Sequence, residues 1–480
     1  MLKKFLLAAV LLFVLLLLHI GISTEKGLTI SEVAKPKEQF DFSKITEEAA
    51  NSLKEYIKIR SIRGNETQTA IYLQKILEKE GISSTLYVHP ENSQRANLVA
   101  VLPGAKKGDG IIFCNHMDVV EVEEKEWSHP PFAGIQIQDR IYGRGAIDMK
   151  GLGIMQLYTF ILLKRLGIQL KHDLMFLALA DEESRSKYGA KYMLEKHPAI
   201  FKNYKYLLNE GGTGTIDVAI KGSKIFNIQY AEKGILWLDV QAKGKTGHGS
   251  TPPLHYAAAD LVQFLQAAKR ANQKYTITDT TAAFFYQMGL ASPFPNSFVL
   301  KRNRHPLFQP ILESVIAKNR HLRAMTSNTV SITGIHSEAV GINVITRNAT
   351  ATLDIRILPG VNPQKYLEEL TRLAQKYNVS IKVRHMEPGT VSDTNTSLFK
   401  SLAGVALQQN PGAIVTPFLS PGTTDSSFFR KHDIQCYGLI PALLTDKEID
   451  GIHGKNESIR IPHIKSGIKI LFATIQHYNQ

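Results

Sequence analysis

The segment LMFLALADEE, residues 174–183, passes without a break from seven apolar residues to three acidic ones. A short apolar run of this kind is typical of a β-strand that is buried on both faces of a sheet. Two more such runs, NLVAVL at 97–102 and IIFC at 111–114, lie upstream, and the second leads into His116 and Asp118. Because strand ends place side chains in clefts, these polar residues are candidates for a site at the edge of a buried sheet.

Strand patterns alternate with helical patterns over the first half of the chain. Apolar residues recur at helical spacing over 45–80, and residues 153–166 have the composition of a long, mostly apolar helix. Strands that alternate with helices predict an α/β domain, with a mixed sheet flanked by helices on both faces. We place the first part of this domain at residues 45–230.

The pattern changes at about residue 231, where half-buried strands and amphipathic helices begin. It predicts an inserted α+β module over residues 231–386. Within this module, residues 276–319 look long and irregular. The first domain is expected to resume at 387–480. His453 is the last candidate site residue of the chain, and it must lie close to the candidates of the first part.

The N-terminus is typical of an export signal. Two lysines precede an uncharged apolar run over 5–18, and small residues allow cleavage after Ser23. An uncleaved anchor over residues 5–22 would also be long enough to span a membrane. Both interpretations stay open: residues 1–23 are a cleaved signal peptide or a retained membrane anchor, followed by a linker at 24–44. In either case we expect an exported protein, which is periplasmic, secreted or anchored to the membrane.

The charge balance does not indicate a nucleic-acid partner. The 480 residues include 57 Lys and Arg against 43 Asp and Glu, a formal net charge of +14. These cations are scattered, with no long basic run and no interleaved aromatic residues, so we expect no nucleic-acid binding. A basic surface would instead favour an anionic substrate. The two cysteines, Cys114 and Cys436, form neither a zinc-thiolate spacing nor a disulfide framework.

Five short segments contain the residue types of a metal site. They are HMD at 116–118, GRGAIDMKG at 143–151, DEES at 181–184, NEGG at 209–212 and GIHG at 451–454. Two imidazoles and several carboxylates are a ligand set that suits Zn²⁺. Each segment alone has a simpler interpretation: His-x-Asp as a structural pair, Asp148 as a helix N-cap, and the paired glutamates as a solvated loop. In this order, and with WSHPPF at 127–132, the segments resemble the M20 family of metallopeptidases.

The resemblance extends from about Ile45 to the C-terminus. It implies the M20 architecture, in which a lid is inserted into a catalytic α/β domain. The length of residues 276–319 is similar to the larger-lid branch, which includes carboxypeptidase S and the secreted N-acyl amino acid hydrolases.

The resemblance also implies two zinc ions per subunit, with Co²⁺ or Mn²⁺ as alternatives. Asp148 would bridge the two ions, since each of its oxygens can take one cation. A cis peptide bond after Asp148 is implied as well. The implied ligands are His116, Asp148 and Glu210 for one ion, and Asp148, Glu183 and His453 for the other.

Three further residues have implied catalytic roles. Glu182 would be the general base that takes a proton from metal-activated water. Asp118 lies two residues after His116 and so on the same side of an extended chain, where its carboxylate would fix the tautomer of the imidazole. In the family, the histidine at the position of His248 supports the developing oxyanion, often from the partner subunit. A homodimer through the lid is therefore expected.

The substrate carboxylate has four candidate contacts. Asn343 and Arg356 match a lid pair that grips a carboxylate, and the planar fork of arginine suits such a contact. A solvated strand face is the alternative for Arg356. Gly422 and Thr423 lie in a segment similar to the family's late glycine turn, whose backbone N–H groups receive the carboxylate.

These residues predict a zinc-dependent hydrolase that cleaves a peptide or amide bond next to a free carboxylate. Carboxypeptidase or N-acyl amino acid hydrolase is the preferred activity, acting on a peptide or an N-acyl amino acid. A dipeptidase or a deacylase of a small metabolite is the alternative within the same chemistry. A non-catalytic binding protein is more remote, because no metal or base position has been lost. A serine hydrolase has little support, because the chain has no G-x-S-x-G elbow.

Overall fold

The computed structural model of the protein describes residues 27–30, 32–33, 40–272, 274–338 and 341–479. The predicted signal peptide or anchor, residues 1–23, lies outside these ranges, as do several residues of the predicted linker at 24–44. No helix within the described ranges is long and apolar enough to cross a membrane.

Strands and helices alternate along the first half of the chain, as the sequence predicts. The elements are α1 (Ser43–Lys58), α2 (Glu66–Lys79), β1 (Ser84–His89), β2 (Asn92–Leu102), β3 (Gly104–His116), β4 (Ile135–Ile137), β5 (Arg140–Tyr142), α3 (Lys150–Arg165), β6 (Leu170–Leu179), α4 (Ala190–Lys196), β7 (Tyr204–Ile216) and β8 (Lys224–Glu232). The apolar runs at 97–102 and 111–114 lie within β2 and β3, and the predicted helix at 153–166 corresponds to α3.

The rest of the chain is also mixed. Its middle part contains β9 (Gly234–Lys243), β10 (Gly247–His248), α5 (Ala257–Ala271), α6 (Asp279–Ala291), α7 (Asn296–Leu300), α8 (Gln309–Lys318), α9 (Arg320–Thr326), β11 (Thr329–Ser337), β12 (Val344–Ile345), β13 (Asn348–Ile357), α10 (Pro363–Gln375) and β14 (Val379–Glu387). Its last part contains β15 (Thr390–Val391), α11 (Ser397–Gln409), β16 (Ala413–Ser420), α12 (Ser426–Arg430), β17 (Gln435–Leu444), α13 (Asp446–Ile449), β18 (Ser458–Arg460) and α14 (Ile461–Tyr478).

Within the described residues, nine strands form one mixed sheet. Neighbouring strands follow the order β1-β2-β6-β3-β7-β17-β8-β15, and β16 pairs with β8. The central strands β6, β3, β7 and β17 run parallel, whereas β1 and β2 at one edge and β15 at the other pair antiparallel. Parallel strands need cover on both faces, which the helices provide.

Alternate residues of the central strands enter two hydrophobic cores. Phe113 of β3 and Phe176 of β6 lie in the core beneath α1, α3 and α14. Cys114 and Leu177, the residues that follow them, lie in the core on the opposite face with α4 and α12. Both faces of these strands are therefore buried, which is why the sequence shows continuous apolar runs rather than alternation. The predicted α/β class with a mixed, helix-flanked sheet is confirmed.

A second, antiparallel sheet in the order β11-β13-β9-β14 lies within the predicted insert. One face of this sheet, which includes Ile355, packs with α5 and α10 in a core of its own. Asp354 and Arg356 flank Ile355 in β13 and therefore lie on the other face. The predicted boundaries near residues 231 and 387 stay predictions.

The stretch 276–319 is helical, so the prediction of an irregular segment is wrong. It contains α6, α7 and α8, and α9 follows directly. Pro306 and Pro310 interrupt the sequence pattern, yet both lie in the first turn of a helical segment, where a missing N–H removes no hydrogen bond. Phe284 and Phe285 of α6 pack in the core of the large sheet rather than in that of the lid.

Candidate metal centre and catalytic cleft

The predicted site residues lie at the carboxyl ends of parallel strands. β3 ends at His116, the acidic segment 181–184 follows β6, and Glu210 lies in β7. Because β6, β3 and β7 are parallel neighbours, their carboxyl ends share one edge of the sheet. Asp148 joins them from just before α3, and His453 joins them from the loop between α13 and β18.

His116, Asp148 and Glu210 form the first cluster. The Nε2 atom of His116 lies 3.1 Å from Oδ1 of Asp148 and 3.4 Å from Oε1 of Glu210. One potential ligand atom of each residue lies within 4.8 Å of the other two. The close approach of β17 to β7 here requires Gly438, where a Cβ atom would lie 1.8 Å from the Glu210 carbonyl oxygen.

Asp148, Glu183 and His453 form the second cluster, which shares Asp148 with the first. The Nε2 atom of His453 lies 3.0 Å from Oδ2 of Asp148 and 3.1 Å from Oε1 of Glu183. Each oxygen of Asp148 therefore faces a different imidazole, as a bridging ligand would. The peptide bond between Asp148 and Met149 is cis, which confirms that expectation.

The orientation of the His116 imidazole shows that the first cluster fits a cation. Its Nδ1 atom lies 2.9 Å from the carbonyl oxygen of Asp118, which can only accept, so Nδ1 carries a hydrogen. In the neutral imidazole, Nε2 then turns a lone pair toward the oxygens of Asp148 and Glu210. These acceptor atoms then converge without a donor and repel one another, and a proton on Nε2 or a divalent cation between them removes this repulsion.

The pKa values of the histidines and of Glu210 are all raised, but for different reasons. Burial favours a lower pKa for His116, but Glu210 and the hydrogen-bonded carboxylates outweigh it and raise this pKa well above its usual value. Hydrogen bonds to Asp148 and Glu183 raise the pKa of His453 to about 10. Burial and the nearby Asp148 raise the pKa of Glu210 to about 8. Protons therefore compete with metal ions for these groups, and binding an ion releases them.

Asp118 contacts both the imidazole of His116 and the turn at residues 181–184, here called the glutamate turn, but through different groups. Its carbonyl oxygen lies 2.9 Å from Nδ1 of His116, whereas its carboxylate lies 3.6 Å from the same nitrogen. The carboxylate accepts hydrogen bonds from the backbone N–H groups of Glu182 and Glu183, each at 3.1 Å. The carbonyl of Asp118 makes the closer contact with His116, so the orienting role of the Asp118 carboxylate stays a prediction; that carboxylate also positions the two glutamates.

Glu182 is half-buried in an acidic setting. Burial and the charge of Glu210 raise the pKa of Glu182 well above its usual value. Asp181, just before it, has a left-handed backbone with φ +68°, which turns the chain sharply after β6. Asp425 is a further buried carboxylate that the sequence did not single out; burial raises its pKa to about 7, and the Ser186 hydroxyl donates to it.

Glu457 holds the loop that carries Asp148, a role that the sequence did not predict. Its buried carboxylate accepts hydrogen bonds from the N–H groups of Gly145 at 3.0 Å, Ile147 at 2.7 Å and Asp148 at 3.0 Å. Arg144 adds a buried ion pair at 2.7 Å. Four donors therefore fix the backbone around the proposed bridging ligand. In the sequence, Glu457 is only an acidic residue close to His453, and nothing there indicates that it binds backbone groups around Asp148.

We expect Glu457→Gln to lower the free energy of unfolding by about 3–5 kcal/mol, because it leaves the buried charge of Arg144 unpaired. Urea denaturation followed by circular dichroism measures this change. Glu124→Gln is the matched control, since Glu124 pairs with Arg60 on the surface at 2.7 Å and surface pairs contribute little. A Glu457→Gln curve that superimposes on that of the unaltered protein would contradict this role.

His248 and Asn343 lie together on the insert. Pairing of β10 with β12 sets His248 opposite Val344, and the Asn343 carbonyl accepts a hydrogen bond from the N–H of Gly249 at 2.7 Å. His248 is exposed, with its Nδ1 atom 2.6 Å from the hydroxyl of Ser250. The predicted contact of His248 with an oxyanion in the partner subunit stays a prediction.

Arg356 forms an ion pair on the lid sheet. Its Nε and Nη2 atoms donate to Oδ1 and Oδ2 of Asp354, at 2.7 and 3.1 Å. The indole N–H of Trp237 donates to the same carboxylate at 3.0 Å. Arg185, which follows the glutamate turn, stacks on Trp237 with its guanidinium carbon 4.2 Å from the ring centroid. The face that carries Arg356 therefore contacts Arg185, just after the glutamate turn, instead of lying in open solvent.

The predicted carboxylate-binding turn after β16 is tied to neighbouring side chains. The N–H of Gly422 donates to the hydroxyl of Ser420 at 3.1 Å. Thr424 donates to the buried Glu232 through its N–H at 2.9 Å and its hydroxyl at 2.7 Å. Thr423 lies between these two anchored residues, and its contact with substrate stays a prediction.

The family follows from a comparison with known proteins. Residues 112–477 match the model of peptidase family M20/M25/M40. The chain belongs to this family. This match confirms the predicted resemblance. As an M20 family member, the protein is a hydrolase of amide or peptide bonds.

Relatives and solved structures extend the M20 assignment over most of the chain. Human N-fatty-acyl-amino acid synthase/hydrolase PM20D1 is 25% identical over 417 residues, 85% of this chain and 81% of that protein. The probable carboxypeptidase S-like 2 of Dictyostelium discoideum is 25% identical over 376 residues, 76% and 71% of the two chains. The crystal structure of the M20 family metallo-carboxypeptidase Sso-CP2 from Sulfolobus solfataricus has a TM-score of 0.66 at 23% identity, and the match covers 90% of this chain and 99% of that one.

Proposed function

We propose that this M20 hydrolase is a zinc enzyme that cleaves a peptide or amide bond next to a free carboxylate, as a carboxypeptidase or an N-acyl amino acid hydrolase. The observation that carries the proposal is the pair of three-residue clusters that share Asp148, each with one imidazole. The two relatives, an N-fatty-acyl-amino acid synthase/hydrolase and a probable carboxypeptidase, support these two substrate classes.

Two metal ions fit the donor atoms of these clusters. His116, Asp148 and Glu210 would hold one ion, and Asp148, Glu183 and His453 the other. Imidazole and carboxylate donors without a thiolate suit Zn²⁺, with Co²⁺ or Mn²⁺ as alternatives. When bound, zinc supplies a Lewis acid beside the scissile carbonyl and makes nearby water more acidic.

Glu182 is the proposed proton carrier. The Asp118 carboxylate accepts hydrogen bonds from the N–H groups of Glu182 and Glu183. It therefore fixes the backbone from which both side chains project. Glu183 reaches the second cluster, which leaves Glu182 to take a proton from the attacking water and deliver it to the leaving nitrogen.

The substrate carboxylate is proposed to bind between the lid and the late turn. Arginine has five N–H donors, and Asp354 uses two of them while it holds the fork of Arg356 in place. Asn343, Gly422 and Thr423 are the other proposed contacts, and His248 would complete the site of the partner subunit in a homodimer. The exposure of His248 leaves its imidazole accessible to such a partner.

Other activities on the same cleft remain as alternatives. A dipeptidase or a deacylase of a small metabolite would use the same ligands and base with a different pocket for the rest of the substrate. We also propose export of the protein, on the basis of the apolar run over residues 5–18. A binding protein without activity is the remaining alternative.

Hydrolysis of a matched panel tests the function. The panel contains N-acyl amino acids, dipeptides and longer peptides, assayed with and without a chelator and with zinc restored. Chelator-sensitive release of an amino acid is expected, and the best substrate would separate the two preferred activities. Two bound zinc ions with no turnover on any substrate would favour the binding protein, and turnover that resists the chelator would refute the metal mechanism.

We expect Arg356→Gln to raise KM at least about tenfold for a substrate with a free carboxylate, because it removes a charge-assisted contact worth about 1.5–3 kcal/mol. Arg384→Gln is the matched control, since Arg384 lies on β14 of the same sheet, separated from β13 by β9, and pairs with Asp239 at 2.6 Å. Steady-state kinetics on a substrate and its C-terminal amide measure the effect. An equal rise in KM for both variants would contradict the proposed contact.

A further inference from the structure

Exposed apolar residues occur along the helical segment α6–α9 and its turns, at residues 279–326. The most exposed residues are Phe294 (80%), Leu307 (52%), Ile311 (51%) and Val315 (51%). The last three are four residues apart, so they follow one face of α8 and of the turn before it. Leu312 and Ile316, each one residue and so about 100° further round the helix, are buried in the core of the large sheet.

The apolar stripe of α8 therefore extends beyond its buried part into solvent. Leu312 and Ile316 already attach the helix to its core, so the exposed Ile311 and Val315 are not needed for that attachment. The apolar face also continues toward α7, because the rings of Phe298 and Phe308 lie 5.7 Å apart. Exposed apolar areas of this kind usually mark a surface that contacts another body.

The charge around this area favours an anionic partner. Residues 275–326 contain six Lys or Arg residues against two Asp or Glu residues. One of the two acids, Asp279, is paired with Arg304. Lys318 is exposed and lies three residues after Val315, on the same face of α8. Apolar side chains bordered by cations are the combination that binds the interface of a membrane with anionic lipids.

The N-terminal chain passes this same segment. Gly27 lies against α6, where a Cβ atom on Gly27 would lie 2.7 Å from the ring of Tyr286. The uncharged apolar run over residues 5–18 ends nine residues earlier in the sequence. Nine residues reach at most roughly 30 Å, at about 3.3–3.6 Å per residue. An attached apolar run would therefore hold α6–α9 close to any membrane that it entered.

We propose that the α6–α9 segment docks onto an anionic lipid surface. Phe294, Leu307, Ile311 and Val315 enter the headgroup region, and Lys318 faces the lipid phosphates. The docking depends on this surface alone and not on the assignment of the catalytic residues.

The experiment places a fluorescent label on the surface of the full chain. Both native cysteines are buried, so a single introduced cysteine can be labelled selectively. One variant is Ile311→Cys, and its matched control is Ile335→Cys on the lid strand β11, where the native residue is 58% exposed. Each carries a polarity-sensitive dye and is mixed with phosphatidylcholine vesicles, with or without phosphatidylglycerol. Emission wavelength and accessibility to an aqueous quencher are recorded.

The expected result is a blue shift and protection from the quencher at Ile311 with anionic vesicles, and neither at Ile335. The double variant Ile311→Ser/Val315→Ser should weaken vesicle binding at least about tenfold, because each lost apolar side chain weakens interfacial burial. The surface variant Val262→Ser/Ile335→Ser should bind as the unaltered chain does. An equal response at both labels, or none at either, would overturn the proposal. So would protection at Ile311 that needs no vesicles and rises with protein concentration, which would show that a second copy covers this surface.

Discussion

Asp148→Asn is expected to abolish binding of both metal ions, and turnover with it. Each oxygen of the Asp148 carboxylate faces one imidazole, His116 at 3.1 Å and His453 at 3.0 Å, so a single change affects both clusters. An amide keeps the shape but loses the charge and replaces one oxygen ligand by an NH₂ group. We expect kcat to fall by at least about 10³-fold, since loss of one electrostatic stabiliser in comparable sites already costs 10²–10³-fold.

Metal content per chain and kcat are the two readouts for Asp148→Asn. Asp139→Asn is the matched control, because Asp139 is an exposed carboxylate that pairs with Arg460 at 2.8 Å. The control should keep two ions and normal turnover. Glu210→Gln and Glu183→Gln should each weaken one ion, since each glutamate belongs to one cluster. An Asp148→Asn protein that holds two ions with unchanged affinity would refute the bridging role.

Glu182→Gln is expected to lower kcat by about 10²–10⁴-fold, the usual contribution of a positioned general base. Both ions should stay bound, because Glu182 belongs to neither ligand cluster. The turn should also keep its shape, since the hydrogen bond to Asp118 comes from the backbone N–H of Glu182. KM should change little, because the proton transfer occurs after substrate binding. Stopped assays at saturating substrate, together with metal analysis, measure these quantities.

A matched change separates this effect from a general loss of charge. Glu195→Gln removes an exposed carboxylate near the end of α4 and should leave kcat unchanged. If Glu182→Gln binds both ions and turns over at nearly the normal rate, Glu182 is not the base. In that case Asp425, the buried carboxylate beside Ser186, would be the next residue to test.

The fold class could be predicted because its main signals are local. LMFLALA at 174–180 and IIFC at 111–114 are continuous apolar runs of strand length, as expected for strands buried on both faces. Residues 276–319 could not be assigned in the same way. Their prolines resemble loop signals, although two of them lie in first turns of helical segments, where the lost N–H has no partner in any case.

The sequence by itself determined the family, the buried strands and the residues that form the two clusters, because residue types and their order are visible without a fold. Only the tertiary structure decided which groups hold those residues. Glu457 binds the backbone around Asp148 across more than 300 residues of chain, and the carboxylate of Asp118 accepts hydrogen bonds from the N–H groups of Glu182 and Glu183. The stacking of Arg185 on Trp237 likewise joins the end of the glutamate turn to strand β9 of the insert, and these two segments are distant in the sequence. Such contacts depend on backbone groups and long-range packing, and neither leaves a periodic pattern in the sequence.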